Sequence, residues 1–272
     1  MAEGQAAGTT VGTFTSTDPD TGDTFTYSLV SGTGSADNAA FTISGDVLNT
    51  AYPFNFMTKN SYSIRVRTTD QGGLNFEKIF VISVTDLPAI FADVPDTYWS
   101  NSYIERLYNA GITGGCSTVP LNYCPINQVT RAQMAIFLLR GIHGSTYAPP
   151  AASGTMFNDV SAGSFAAAWI EQLAIEGITS GCGGGNFCPN SPVTRASMAV
   201  FLVRAKHGAG FTPPTAPGIF GDVPVGSFGA NYIEQLVVDS ITSGCGSGNY
   251  CPSATVKRDS MAVFLVRTFS LP

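Results

Sequence analysis

The chain has 272 residues, of which 44% are hydrophobic and 12% charged, with a formal net charge of −6. That length suits two or more domains rather than one. Nothing forms the basic face that nucleic-acid binding requires, and no apolar run approaches the ~18 residues of a membrane span.

The opening MAEGQAAGTT has neither the basic nor the apolar region of a secretory signal, so Met1 is expected to head a mature protein or a fragment of a longer one. The acid is unevenly placed. Residues 1–88 carry nine acidic and four basic side chains; residues 89–272 carry ten and nine. In residues 1–88, alternating apolar positions such as Tyr62, Ile64 and Val66, then Phe80, Ile82 and Val84, predict strands with one buried face. Turn signals DPDTGD, SGTGSADN, SGD and DQGG separate them. About seven short strands in this length predict an all-β sandwich.

The stretches TSTDPDTGDTFTYSL (15–29), AFTIS (40–44), YSIRVRTTDQGG (62–73) and VISVTD (81–86) resemble a bacterial cadherin-like repeat. In that family calcium sits at repeat junctions. The resemblance implies Asp18, Asp20 and Asp70 as ligands at one end, and Glu3 and Asp86 at the other. Calcium takes six to eight oxygens, several from carboxylates, and acids clustered in turns supply them. Asp also caps turns through its own hydrogen bonds, which is the plainer role for the same residues. Where the family often has an acidic motif, this chain has Asn55-Phe56-Met57-Thr58.

From residue 89 onward the sequence repeats itself three times. IFADV (90–94), MFNDV (156–160) and IFGDV (219–223) open the copies, followed by YIERLYNAGITGGC (103–116), WIEQLAIEGITSGC (169–182) and YIEQLVVDSITSGC (232–245). CPINQVTRAQMAIFLLR (124–140), CPNSPVTRASMAVFLVR (188–204) and CPSATVKRDSMAVFLVR (251–267) close them, and Pro-rich joins separate them. The expected divisions are residues 1–88, 89–150, 151–214 and 215–272. Each copy is predicted to be a helix, a loop and a second helix. The first helix carries Ile104, Leu107 and Tyr108 and stops at Gly111 or its counterpart Gly177. The second begins near Thr130 or Thr194, with Thr130 and Gln133 forming a capping box.

The six cysteines fall as Cys116/Cys124, Cys182/Cys188 and Cys245/Cys251. Such short spacings suit disulfides or metal ligands. A zinc site needs four ligands, and the two histidines, His143 and His207, follow the second helices in what read as solvated positions, so disulfides are favoured. They place the protein outside the cytoplasm.

The F-x-D-V start, the Y/W-I-E-x-L helix, G-I-T-x-G and V-T-R-A before an apolar helix resemble the S-layer homology domain, usually found in threes. The resemblance implies an all-α pseudo-threefold prism of three modules beside the all-β domain. It also implies attachment of an exported cell-surface protein to cell-wall polysaccharide, commonly pyruvylated, in grooves between modules. Arg131, Arg195 and Arg258 occupy the family's sugar-contacting arginine, and a guanidinium matches a carboxylate in a planar fork. At the first turn of a helix it also lies beside unpaired N–H groups that favour anions. The alternative is that Arg131 pairs with an acid such as Asp93 and ties modules together. Asp93, Asp159 and Asp222 are candidate acceptors of sugar hydroxyls or N-caps of the following helix. Trp99 stands where the family has tryptophan; Phe165 and Phe228 replace it in the later copies. The motif's glutamate is Gln133, Ser197 and Ser260 here, and the bracketed cysteines are a variant of the family's general pattern.

No nucleophile elbow, H-E-x-x-H or phosphate loop is present, so no catalytic residue is expected. The leading expectation is a non-enzymatic cell-surface protein, bound to an anionic envelope glycan, with a calcium-binding sandwich as spacer. The alternative is a subunit that contacts copies of itself in an extracellular filament, sheath or lattice, which low charge, Gly-rich loops and disulfides also suit.

Overall fold

A computed structural model describes residues 1–18, 22–56, 58–86 and 88–272. The fold is mixed: the chain divides into two compact units, Met1–Pro88 and Ala89–Pro272, the first built on sheets and the second on six helices.

In the first unit, β1 (Thr10–Thr13), β4 (Val47–Thr50) and β3 (Phe41–Ser44) make one antiparallel sheet, in the order β1-β4-β3. The other holds β2 (Thr26–Leu29), β5 (Ser61–Thr69) and β6 (Asn75–Ser83), in the order β2-β5-β6. Register follows the apolar alternation: Tyr62, Ile64 and Val66 of β5 point inward and are buried with Ile82 of β6, Leu48 and Phe41. Shifting either strand by one residue would turn that whole set to solvent. Phe54 stacks on Tyr62 with ring centroids 4.2 Å apart, closing one end of the core. Among the described residues six strands form where about seven are expected. The N-terminal segment joins the sheet by a single parallel bridge, Ala2 to Thr85, instead of a full strand.

The second unit contains three copies of one helix pair: α1 (Asn101–Asn109) with α2 (Arg131–His143), α3 (Ala167–Ile175) with α4 (Arg195–His207), and α5 (Ala230–Val238) with α6 (Arg258–Phe269). The second helices α2, α4 and α6 touch one another about a common centre, while α2 packs on α3, α4 on α5 and α6 on α1. Each repeat's second helix thus rests on the next repeat's first, and the third returns to the first. Met134, Met198 and Met261, with Leu138, Leu202 and Leu265, fill the shared core and are fully buried. Removing each such side chain from water contributes roughly 1.5–3 kcal/mol.

A ring of backbone hydrogen bonds closes this arrangement. Val129 N–H donates to Val256 O, Val256 N–H to Val193 O, and Val193 N–H to Val129 O, each at 2.9 Å. The next residues begin the second helices, whose first N–H groups have no partner within the helix. The next repeat supplies them. Arg131 and Ala132 donate to Ser191 and Pro189, Arg195 and Ala196 to Ala254 and Pro252, and Arg258 and Asp259 to Asn127 and Pro125, all at 2.9–3.0 Å. Thr130 and Gln133 make the expected capping box, Thr194 caps Ser197 N–H, and Lys257 makes no side-chain cap.

The three expected disulfides are formed. The first encloses two more residues than the others and accommodates a short hairpin, β7 (Ser117–Thr118) with β8 (Leu121–Asn122). His143 and His207 are not simply solvated. His143 lies 2.8 Å from Glu176 and His207 2.8 Å from Asp239, each reaching the next repeat.

The residue before each loop's first cysteine is Gly115, Gly181 or Gly244, with φ of +86°, +92° and +104°. A Cβ at Gly181 would stand 2.3 Å from Asn186 O and 3.0 Å from the Phe157 ring. Gly181→Ala therefore combines left-handed strain with a backbone clash. We expect it to lower unfolding free energy by about 2–4 kcal/mol, read as an earlier midpoint in urea denaturation, whereas Gly163→Ala, which meets nothing within 4 Å, leaves the midpoint within error.

Candidate functional site

Three arginines begin the second helices, and all three turn inward across a repeat boundary. Arg131 Nε donates to Phe187 O, Arg195 Nε to Tyr250 O and Arg258 Nε to Tyr123 O, each at 2.7 Å. Their guanidinium carbons lie 4.5–4.8 Å from the ring centroids of those same residues. A second ring lies 5.3–5.7 Å from each: Phe201 for Arg131, Phe264 for Arg195 and Phe137 for Arg258. Arg131 and Arg258 are buried and Arg195 half-buried. Burial pushes each guanidinium pKa down, and an aspartate of the neighbouring repeat pushes back: Asp159 on Arg131, Asp222 on Arg195, Asp93 on Arg258. Arg131 thus faces Asp159, while Asp93, the partner named from the sequence, faces Arg258.

These arginines therefore tie repeats together. The helix N–H groups beside them, expected from the sequence to favour an anion, are spent on carbonyls of the next loop. The Nη2 atoms of Arg131 and Arg195 are buried without a hydrogen-bond partner. Arg258 Nη2 instead reaches Thr113 Oγ1 at 3.5 Å.

The three aspartates clamp the stapled loops. Both carboxylate oxygens of Asp93 accept N–H bonds from Tyr123 and Cys124, those of Asp159 from Phe187 and Cys188, and those of Asp222 from Tyr250 and Cys251, at 2.7–2.8 Å. None of the three caps a helix. Burial of Asp159 and Asp222 works to raise their pKa, but the paired N–H bonds and the facing arginine outweigh it and hold both below the usual carboxylate range.

Trp99, Phe165 and Phe228 precede the first helices at equivalent places and are 62%, 68% and 70% exposed. Their neighbours lie at repeat junctions. Tyr98, next to Trp99, donates its hydroxyl to Asp259 Oδ2 at 3.1 Å, immediately after Arg258. Gly229, next to Phe228, lies against Ala196, immediately after Arg195; a Cβ there would be 3.3 Å from Ala196 O. Trp99 and Phe228 are thus exposed one residue away from contacts with the first turns of α6 and α4.

Sequence reasoning passed over the glutamates of the I-E-x-L helices. Glu171 is buried and accepts bonds from Ser153 N–H, Ser153 Oγ and Gly154 N–H; Glu234 is buried and accepts from Gly218 and Ile219 N–H. Their recurrence in one motif was the available signal. A second arginine set was also missed. Arg140, Arg204 and Arg267 donate to Ile112, Ile178 and Ile241 O and lie 5.5–5.7 Å from the rings of Trp169, Tyr232 and Tyr103, again in the next repeat.

In the first unit, ligand atoms of Asp18, Asp23 and Asp70 all lie within 4.8 Å of one another. Asp23 was not foreseen, and Asp20 lies outside the described residues. Asp70 Oδ1 accepts Leu74 N–H at 2.8 Å, the turn-capping role weighed for it. At the opposite end Glu3 N–H donates to the carbonyl of Thr85, the residue before Asp86, and Glu3 Oε2 accepts Phe56 N–H at 2.8 Å. Three hard carboxylates so close together fit calcium in donor type.

Comparison with known proteins matches residues 157–199 to the S-layer homology domain. An endoglucanase of Bacillus sp. (strain KSM-635) is 27% identical over 175 residues, covering 63% of this chain and 18% of that protein. A cell surface protein of Thermoanaerobacter kivui is 34% identical over 184 residues, covering 67% of this chain and 21% of that protein. The chain spans about a fifth of the length of these relatives. Among solved structures, extracellular cadherin domains 1–4 of protocadherin gamma B7 give 30% identity over 32% of this chain and 21% of that chain, with a TM-score of 0.28. A likeness at that score establishes nothing about the fold. Among the described residues, no helix is long and apolar enough to cross a membrane.

Arg195→Ala removes the bond to Tyr250 O and the stacking on two rings, and leaves a desolvated carbonyl. The expected loss is about 2–4 kcal/mol of unfolding free energy in urea titration. Arg195→Lys is expected to recover less than half of it, because an ammonium cannot stack as a plane between two rings.

Proposed function

We propose that residues 89–272 form three S-layer homology modules arranged as a pseudo-threefold prism. They hold a non-enzymatic, exported cell-surface protein on an anionic glycan of the cell envelope. Residues 1–88 serve as a cadherin-like spacer. The observation that carries this reading is the exposed aromatic that each repeat presents at an equivalent place, Trp99, Phe165 and Phe228. Sugar rings stack on aromatic faces, and large exposed rings at equivalent places suit such a ligand. The S-layer homology match at residues 157–199 and the cell surface relative support the location. The likeness to an endoglucanase concerns 18% of that protein.

The arginines are poor probes of this binding, since they also hold the repeats together. The aromatics are exposed and separable from folding. In co-sedimentation with isolated cell walls, Trp99→Ala, Phe165→Ala and Phe228→Ala combined are expected to lower the bound fraction about tenfold, a loss of ~1.4 kcal/mol. Thermal unfolding should stay unchanged. Undiminished binding by the triple variant would overturn the assignment.

The spacer is proposed to bind calcium through Asp18, Asp23 and Asp70, with Asp20 near them in sequence, and through Glu3 and Asp86 at its other end. A ligand that binds only the folded state raises the melting temperature. Adding calcium to chelator-treated protein is expected to raise the first unit's transition, and Asp23→Ala is expected to remove most of that rise. No response of the wild type to millimolar calcium would refute the site.

A further inference from the structure

The three repeats differ in what stands just before the exposed aromatic. The second and third carry Ser164 and Ser227 there, and the first carries Tyr98. Ser164 Oγ accepts Ser161 N–H at 3.0 Å, an anchor within its own turn. Tyr98 reaches across a repeat boundary instead: its hydroxyl donates to Asp259 Oδ2 at 3.1 Å, 161 residues further along the chain. Asp259 is also unusual, because α2 and α4 have Ala132 and Ala196 at that position. Both departures thus meet at the one junction where the third repeat returns to the first. Asp259 is buried, and its other oxygen accepts Ser260 N–H and, at 3.0 Å, the Ser260 hydroxyl. The phenol is therefore bonded to a carboxylate that is itself held.

The backbone beside the ring differs too. The residue after the aromatic is left-handed in the later repeats, Ala166 at φ +61° and Gly229 at +77°. Ser100, after Trp99, has φ −113° and is fully buried. Tyr98 N–H donates to Pro95 O at 2.7 Å, and Asn101 N–H to Tyr98 O at 2.9 Å. Trp99 therefore projects from a turn fixed on both sides, with its ring exposed and 6.4 Å from that of Tyr98. A hydrogen bond to an ionised acceptor is roughly twice as strong as a neutral one, and a group held before binding loses less freedom when it binds. Indole also has the largest face of the three rings.

We propose that Tyr98 and Asp259 are positioning residues for Trp99, and that Trp99 supplies most of the aromatic contribution to glycan binding, with Phe165 and Phe228 secondary. This rests on the glycan-binding reading above. The three junctions are then unequal, and the one that closes the ring is the principal site.

The test uses the full chain with its disulfides intact, sedimented with isolated cell walls. Trp99→Ala alone is expected to weaken apparent affinity about fivefold, and Phe165→Ala and Phe228→Ala less than about twofold each, as when a few residues dominate an interface. Tyr98→Phe, which removes only the hydroxyl, is expected to weaken it about threefold through lost preorganisation. In the Trp99→Ala background Tyr98→Phe is expected to have no further effect, because the two act as one unit. A merely structural role would lower binding by the same factor in both backgrounds. Asp259→Asn keeps an acceptor for the phenol and is expected to bind more tightly than Asp259→Ala. With Trp169→Phe leaving Trp99 as the sole tryptophan, Tyr98→Phe is expected to lower its fluorescence anisotropy. Equal losses from the three single aromatic variants overturn the proposal and leave glycan binding standing, as does an equal effect of Tyr98→Phe with and without Trp99. Undiminished binding by the triple aromatic variant defeats the underlying reading instead. Should Tyr98→Phe misfold, Asp259→Asn against Asp259→Ala decides in its place, and equal binding by that pair overturns the proposal.

Discussion

Most of the second unit depends on one constraint: the first N–H groups of a helix must find acceptors outside that helix. Here α2, α4 and α6 find them in carbonyls of the following repeat, and the valine just before each helix completes a three-membered ring of hydrogen bonds. Those carbonyls lie one to three residues after the second cysteine of each pair, so the staples bear directly on where the helices dock. A disulfide, an aspartate that takes two adjacent N–H groups, and a glycine that admits a close carbonyl all act on the same few residues. The loop is a socket for the preceding repeat's helix.

This geometry explains why the arginines turn inward. Their Nε atoms point at the same loops that receive the helix ends, and the aromatic residue before the second cysteine lies under the guanidinium plane. Burying a charge in this way requires compensation. A carbonyl, two ring faces and an aspartate across the boundary supply it without a direct ion pair. Trp99, Phe165 and Phe228 stand outside this socket and keep their rings exposed.

The parts legible in the sequence were those governed by neighbours along the chain. The alternation through Tyr62, Ile64 and Val66 gives β5, the Thr130–Gln133 pair gives the start of α2, and glycines at 111 and 177 mark where α1 and α3 stop. Cysteine spacing gives the staples. Partners distant in sequence were not legible. Nothing local links Arg258 to Tyr123, 135 residues away, and helical periodicity treats Glu171 as a surface position although it holds the strap at Ser153 and Gly154. The aspartates of F-x-D-V looked like helix caps because a helix follows them, yet their bonds go to a loop 28–31 residues further on. Asp23 was passed over because a turn of several acids gives no sign of which side chains converge.

The circular docking also sets how many copies the unit must contain. In open repeat proteins each copy touches only its neighbours, so copies are added or lost while the ends are capped. Here there are no ends: Val256 has its acceptor in the second copy and its donor in the first, and α6 returns to α1. Deleting one copy would leave two faces without partners, and a fourth could enter only by opening the ring and widening its centre, where three methionines already fill the space. Diversification in such a unit is thus confined to what hangs from the ring, such as the two extra residues in the first loop or the aromatic at each junction.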